Sequence, residues 1–373
     1  MPLATLGLLG IASIAVLGVL PATLVADKPI ADPLDPSSIE DVTTPFARVP
    51  ATAQAVSGRL RFDDPGGLAQ RDVARPGEIY LVTVSEPAQS MLSYLVGRGE
   101  PAIELLTDVE KYGVATPTQR RAISLEMMAT SEQIAQYVAL RATGYDAQIV
   151  AGDVVVEQVL CLEAGETDCA RWAPADEALD PGDRLLAVDG TTIDTVDDLI
   201  EELRDNQPGD RVALRIDRPE DGPRDVEVEL IASPDEPQRA LIGFIPFDTA
   251  RVELPFEVDI DTGEIGGPSA GLAFTLTLID DLSEGDLLGG RKIAVTGSID
   301  REGNVGAIGG LPQKVSAVRQ TGVEVFLVPA SQGEETLARA REIAGDAVEI
   351  VPVATLDEAL AALVELGGDP IAR

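Results

Sequence analysis

The 373-residue chain contains no histidine and carries a formal net charge of −36, which excludes histidine metal sites and every Ser-His-Asp arrangement. So acidic a surface repels nucleic-acid phosphates and anionic lipid, and neither is an expected partner. Hydrophobic residues make up 45% of the chain and aromatics only 3%, so cores of Val, Leu, Ile and Ala in about two or three domains are expected.

The first element is apolar: Pro2 to Ala26 carries no charged side chain, and Leu3 to Leu20 approaches the length of a bilayer span. A cleaved signal peptide would have a basic start and a small-x-small cleavage site. No Lys or Arg precedes the span and Leu24-Val25-Ala26 is a poor site. Residues 1–26 are therefore read as an uncleaved transmembrane anchor in preference to a signal segment. Residues 27–75, rich in Pro, Asp and Ala, read as a tether. Glu78 to Val84 has strand composition, a helix is expected around Gln89 to Val96, and a longer one from about Thr118 to Thr143, stopped by Gly144.

The character changes near Gly152. Val154 to Val159, Arg211 to Ile216 and Val226 to Ile231 read as strands, Asp189-Gly190 as a turn, and Thr195 with Asp198 as a helix start. This makes residues 151–236 a small β-rich module. Its two cysteines, Cys161 and Cys169, are either a disulfide closing a short loop, worth about 2–3 kcal/mol, or a pair of inert thiols. From Leu241 on, strands and helices alternate: Val252 to Ile260, a helix after Pro268, Lys292 to Thr296, a helix from Pro312 to Gly322, Val323 to Val328, Gly333 to Ile343, Val348 to Val353, and a last helix opened by a Thr355–Glu358 capping box. Such alternation indicates an α/β layer fold.

Two stretches carry chemistry. Gly267-Pro268-Ser269-Ala270-Gly271 places a serine at a helix start, where unpaired amides can hold an oxyanion. The largely apolar run Leu272 to Ile279 should bury that helix and fix the serine rigidly. Gly309-Gly310-Leu311-Pro312-Gln313-Lys314 places a lysine in the first turn of another helix. Apolar burial and the helix dipole both favour its neutral amine. Without histidine, such a lysine is the available base for a serine nucleophile, provided its pKa falls to about 7–8. Taken singly, the bland readings are a plain helix-start turn and a solvated surface lysine; the pairing in one glycine-punctuated segment favours the chemistry.

These stretches, with Ile293-Ala294-Val295-Thr296-Gly297 and Val305-Gly306-Ala307-Ile308-Gly309-Gly310, resemble the proteolytic domain of Lon proteases, which use a Ser-Lys dyad. The resemblance implies Ser269 as nucleophile and Lys314 as base, with Thr296 supporting the lysine and Gly267, Pro268, Ala270 and Gly310 shaping the two turns. Gly182 to Gly190 resembles a PDZ domain, and membrane-anchored bacterial proteins that combine PDZ and Lon-type peptidase domains are similar over most of this length. The resemblance implies an α/β (α+β) proteolytic domain formed by residues 76–150 and 237–373, with the PDZ domain inserted between them. Ile265-Gly266 stands where many Lon enzymes have an acidic residue, and Ser298 where a glutamate is common. The Lon ATPase module is missing, as is any Gly-x-x-x-x-Gly-Lys-Ser/Thr phosphate loop.

The expectation is an ATP-independent serine endopeptidase without cofactor or metal, acting on flexible or misfolded polypeptides. It would be a single-pass protein of the cell membrane with its catalytic part outside the cytoplasm. The PDZ-like module would recognise peptides by strand addition or act as a lid or spacer. Ring assembly occurs in the Lon family, and a homo-oligomer stays open here. The rival is a non-catalytic PDZ scaffold with a dead peptidase fold, in which Ser269 and Lys314 stand apart or solvated.

Overall fold

The computed structural model describes residues 14–31, 39–63, 77–164, 169–219, 221–234 and 236–371. Among them no helix is long and apolar enough to cross a membrane. Half of the expected anchor, residues 1–13, lies outside the described residues; in the rest, the helix covers only 14–19. Pro21 then stops it, because a proline disfavours helical backbone before it. The chain folds back onto the body: Leu20 O accepts Met91 N–H at 2.8 Å and Ala22 N–H donates to Gln89 O at 2.9 Å. Ala22 and Ala26 are buried. A continuous span over 1–26 is therefore not supported.

The expected tether also differs. Residues 32–38 and 64–76 lie outside the description, but Phe46–Ala55 forms β1, which pairs antiparallel with β2 (Glu78–Ser85) on one edge and β3 (Glu104–Leu106) on the other. Backbone pairing overrides the Pro- and Ala-rich composition. A short helix, Met91–Gly97, follows, capped by Ser90. Helix α1 (Pro117–Ala142) starts where Thr116 Oγ1 accepts Gln119 N–H and the Gln119 side chain returns to Thr116 N–H.

The inserted module is an antiparallel sheet of β4 (Gln148–Val159), β5 (Arg184–Val188), β6 (Arg211–Arg218), β7 (Gly222–Glu229) and β8 (Phe244–Glu253), in the order β7-β6-β5-β4-β8. Helix α2 (Val196–Glu202) is opened by the expected Thr195–Asp198 capping box. Residues up to 253, read as catalytic, thus complete this sheet, because β8 pairs with the whole of β4 from Phe244↔Val159 to Glu253↔Gln148. Its core is separate and aliphatic, with Val156, Leu185, Val188, Leu199, Leu214 and Val228 at its centre.

The remaining elements complete the main sheet: α3 (Gly271–Leu282), β9 (Lys292–Val295), α4 (Leu311–Thr321), β10 (Val325–Pro329), α5 (Glu334–Ala344), β11 (Glu349–Val353) and α6 (Leu356–Glu365). The strand order is β11-β10-β9-β2-β1-β3. The four strands from β11 to β2 run parallel. Parallel strands buried on both faces show period-2 packing. Ile79, Leu81, Ile293, Val295, Val325 and Leu327 meet α1, α3 and α6. Val82, Ala294, Phe326 and Val328 meet α4 and α5 on the other face. The expected strand Val252 to Ile260 is broken: after β8, Glu257–Ile260 pairs instead with Leu60–Asp63. At α6, Thr355 caps Glu358 N–H, but the Glu358 carboxylate takes Ala354 N–H and not that of Thr355.

Candidate active site

Ligand sites of parallel α/β sheets lie beyond the carboxyl ends of the strands. Beyond β9 the chain continues into Thr296 and Gly297, and these two residues meet the turn that carries Ser269. Gly297 N–H donates to Ser269 O at 2.9 Å, Thr296 Oγ1 donates to the same oxygen at 3.1 Å, and Leu272 N–H returns to Gly297 O at 3.0 Å. Gly267, at φ +82°, enters the turn in a conformation that favours glycine. Helix α3 starts at Gly271, three residues after Pro268, so Ser269 sits in the turn just before the helix and not in its first turn. Ala270 is buried at its N-cap.

Helix α4 approaches from the other face of the sheet. Its N-cap, Gly310, adopts φ +71°, and an added Cβ there would lie 2.9 Å from Arg48 Cδ and 3.0 Å from Val84 Cγ1. Lys314 is therefore delivered from a tight turn and is only 2% exposed. Its Nζ lies 2.8 Å from Ser269 Oγ and 3.0 Å from Thr296 Oγ1. Burial pushes the Lys314 pKa down from the ordinary 10.5 to about 7. No charge partner is needed for that shift, since desolvation alone disfavours an ammonium.

The hydrogen positions follow from the acceptors. The Thr296 proton is committed to Ser269 O, so Thr296 Oγ1 must accept an N–H from Lys314. A neutral amine so held has its lone pair left for the Ser269 hydroxyl proton. The arrangement can take a proton from Ser269 Oγ as that oxygen attacks a carbonyl, and later return it to a leaving amine. Among the described residues neither the Ser269 N–H nor the Ala270 N–H has an acceptor in the protein, which leaves both free for an oxyanion.

Ser269, Lys314 and Thr296 thus meet; Gly267, Pro268, Ala270 and Gly310 line the two turns that carry them. Cys161 and Cys169 form a disulfide on a hairpin of the inserted module (Cys161–Ala164 with Cys169–Trp172), and take no part in the site. Among the described residues no cluster of ligating side chains suits a metal ion. Two serines of α1 were not foreseen. Ser124 O accepts Gly267 N–H at 2.7 Å, and Ser131 Oγ donates to Pro268 O at 3.0 Å. Neither has a local sequence signal, because a serine within a helix looks like any other.

Residues 257–365 match the family model of the Lon protease (S16) C-terminal proteolytic domain, and residues 167–230 match that of the PDZ domain. The chain is similar to the Lon protease of Ureaplasma parvum serovar 3, with 37% identity over 87 residues, 22% of this chain and 11% of that protein. It is also similar to the Lon proteases of Metamycoplasma arthritidis (31% over 104 residues; 28% and 12%) and Citrifermentans bemidjiense (31% over 110 residues; 27% and 14%). The chain spans only 11–14% of the length of these curated relatives. Among solved structures it is similar to the PDZ domain of the SdrC-like protein from Listeria monocytogenes, at 20% identity and a TM-score of 0.21, covering 26% of this chain and 88% of that one. A solution structure from Geobacillus thermodenitrificans matches at 29% identity and a TM-score of 0.21, covering 26% and 97%. The chain carries a Lon-type serine peptidase domain, which holds Ser269 and Lys314, and a PDZ domain.

Proposed function

We propose that this chain is an ATP-independent serine endopeptidase that cleaves flexible or misfolded polypeptides with a Ser269–Lys314 dyad. The observation that carries the reading is the 2.8 Å approach of a buried lysine amine, with a pKa of about 7, to the serine oxygen. Ser269 Oγ attacks the peptide carbonyl carbon while neutral Lys314 takes its proton. The tetrahedral intermediate collapses, its C–N bond breaks, and the Lys314 ammonium protonates the departing amine. Water then hydrolyses the acyl-enzyme, with Lys314 again the base. A dead scaffold has no use for a desolvated amine, whose burial is costly.

The PDZ domain recognises substrate or gates the site. Its helix α2 and edge strand β8 flank a cavity of about 830 Å³, lined by Leu199, Ile200, Leu203, Ile242, Phe244 and Pro246. An edge strand beside an apolar groove suits strand addition by a peptide. Gating is supported by a direct link: the Asp248 carboxylate accepts Val196 N–H at the start of α2 (2.7 Å) and faces Arg301 at 3.5 Å. Arg301 lies in the turn between Ser298–Ile299 and Val305–Gly306, just past Gly297.

The same reading puts the catalytic part outside the cytoplasm, where the Cys161–Cys169 disulfide is stable. The test is hydrolysis of an unfolded protein without nucleotide by the full chain. Wild type is active, and Ser269→Ala and Lys314→Ala each abolish turnover. Activity persisting in both variants rejects the dyad. Protease accessibility in intact cells tests the location.

A further inference from the structure

The serine's own N–H is useful to an oxyanion only if its peptide plane is held with that N–H facing the substrate. The Pro268–Ser269 peptide is trans, as all are among the described residues, so its C=O and N–H point in opposite directions. The Pro268 carbonyl is turned toward α1, where it accepts the Ser131 hydroxyl at 3.0 Å. The Ser269 N–H must therefore point away from α1, and among the described residues it meets no protein acceptor.

Ser131 is 3% exposed, and a helical serine usually turns its hydroxyl to the carbonyl one turn back. Here it leaves its own helix and bonds to the nucleophile turn. The fit is close: a Cβ added at Gly271 would lie 2.8 Å from Ser131 Oγ. The next peptide is held from the opposite strand end by Gly297 N–H and Thr296 Oγ1 on Ser269 O. Of the two planes flanking the nucleophile, one is fixed by the dyad's own surroundings. The other is held by the Gly271 N–H, which reaches Pro268 O at 3.2 Å within the turn, and by Ser131, the only side chain on that carbonyl among the described residues, which touches neither Lys314 nor substrate.

We infer that Ser131 is a positioning residue that orients the Ser269 N–H as an oxyanion donor. The inference rests on the peptidase reading above. Ser131→Ala keeps helix propensity and removes one hydroxyl, so it should fold, with a melting temperature close to wild type. On a short fluorogenic peptide, kcat falls about tenfold or more, a fraction of the 10²–10³ lost with a whole donor. KM and the pH midpoint stay put, because Lys314 is untouched. Affinity for a peptide aldehyde, which forms a tetrahedral adduct, falls by the factor lost in kcat/KM. Ser131→Thr, which keeps the hydroxyl, recovers most of the loss. An Ala variant within about twofold of wild type, a loss confined to KM, a shifted pH midpoint, or equal Ala and Thr variants each overturns the inference while leaving the dyad intact. A wild type with neither turnover nor aldehyde binding overturns both readings.

Discussion

Lys314→Met should make the folded protein more stable while abolishing catalysis. The argument is a proton linkage. In the unfolded chain the amine titrates near 10.5; in the folded site burial lowers it to about 7. A lysine with a depressed folded pKa destabilises the native state. The penalty is full below about pH 7 and is relieved as pH rises toward 10.5, since the unfolded state binds more protons throughout that window. The penalty is about 4–5 kcal/mol at pH 7 and about 2 kcal/mol at pH 9. Wild-type stability should therefore rise by about 2 kcal/mol between these values. The chain has no histidine and, among the described residues, no free cysteine, so few other groups titrate there and the slope isolates Lys314. Methionine removes the penalty and forfeits two hydrogen bonds, worth about 1 kcal/mol each. The variant should gain about 2–3 kcal/mol at pH 7 and lose the slope. Urea denaturation at pH 7, 8 and 9 measures both. A flat wild-type profile, or an unchanged slope in Lys314→Met, refutes the claim that burial has neutralised this amine.

The remaining predictions concern activity and the inserted module. Turnover should rise with pH along a single ionisation with a midpoint near the Lys314 value of about 7, because only the neutral amine accepts the serine proton; a bell centred below pH 6 contradicts the assignment. Replacing Cys161 and Cys169 together by serine should destabilise the PDZ domain by about 2–3 kcal/mol, as expected for so short a loop, without changing kcat on a short peptide; a matching loss of kcat would tie the hairpin to the site. Ile200→Asp, on the exposed wall of the groove, should lower kcat/KM for an unfolded protein by about tenfold, the effect of about 1.4 kcal/mol of lost binding. Short-peptide hydrolysis should stay within about twofold; equal effects on both substrates argue against recognition by the groove.

The pairing of Ser269 with Lys314 was legible because the two turns are written in residues with strong backbone preferences. Gly267 and Gly310 take positive φ, and the prolines mark helix starts, so Ser269 and Lys314 could be placed at element ends without knowing the sheet. The helix begins at Gly271, three residues later than Pro268 suggests, because Pro268 suits a turn as well as a first helical position, and Gly297 capturing Ser269 O selects the turn. What was not legible is long-range. Residues 46–55 look like linker, and only their pairing with β2 makes them a strand. Ser131 and Ser124 lie about 140 residues before the turn they hold, and nothing near them in sequence announces it.

The insertion point of the PDZ domain has a physical rationale. The module leaves the chain after α1 and returns before the Ser269 turn, and it rests on both elements that hold that turn. On α1, Glu126 pairs with Arg184 of β5, Arg120 with Glu157 of β4, and Gln133 accepts Val252 N–H of β8; the same helix carries Ser124 and Ser131. On the far side, Arg301 faces Asp248 from the hairpin that follows Thr296 and Gly297. These ion pairs are partly exposed, and each contributes little on its own, typically under about 1 kcal/mol. Displacing the module should therefore perturb both peptide planes of Ser269 at once, since it contacts both elements that hold them. A shift too small to register in stability is enough here, because a fraction of an ångström in the direction of a donor decides how well it meets an oxyanion.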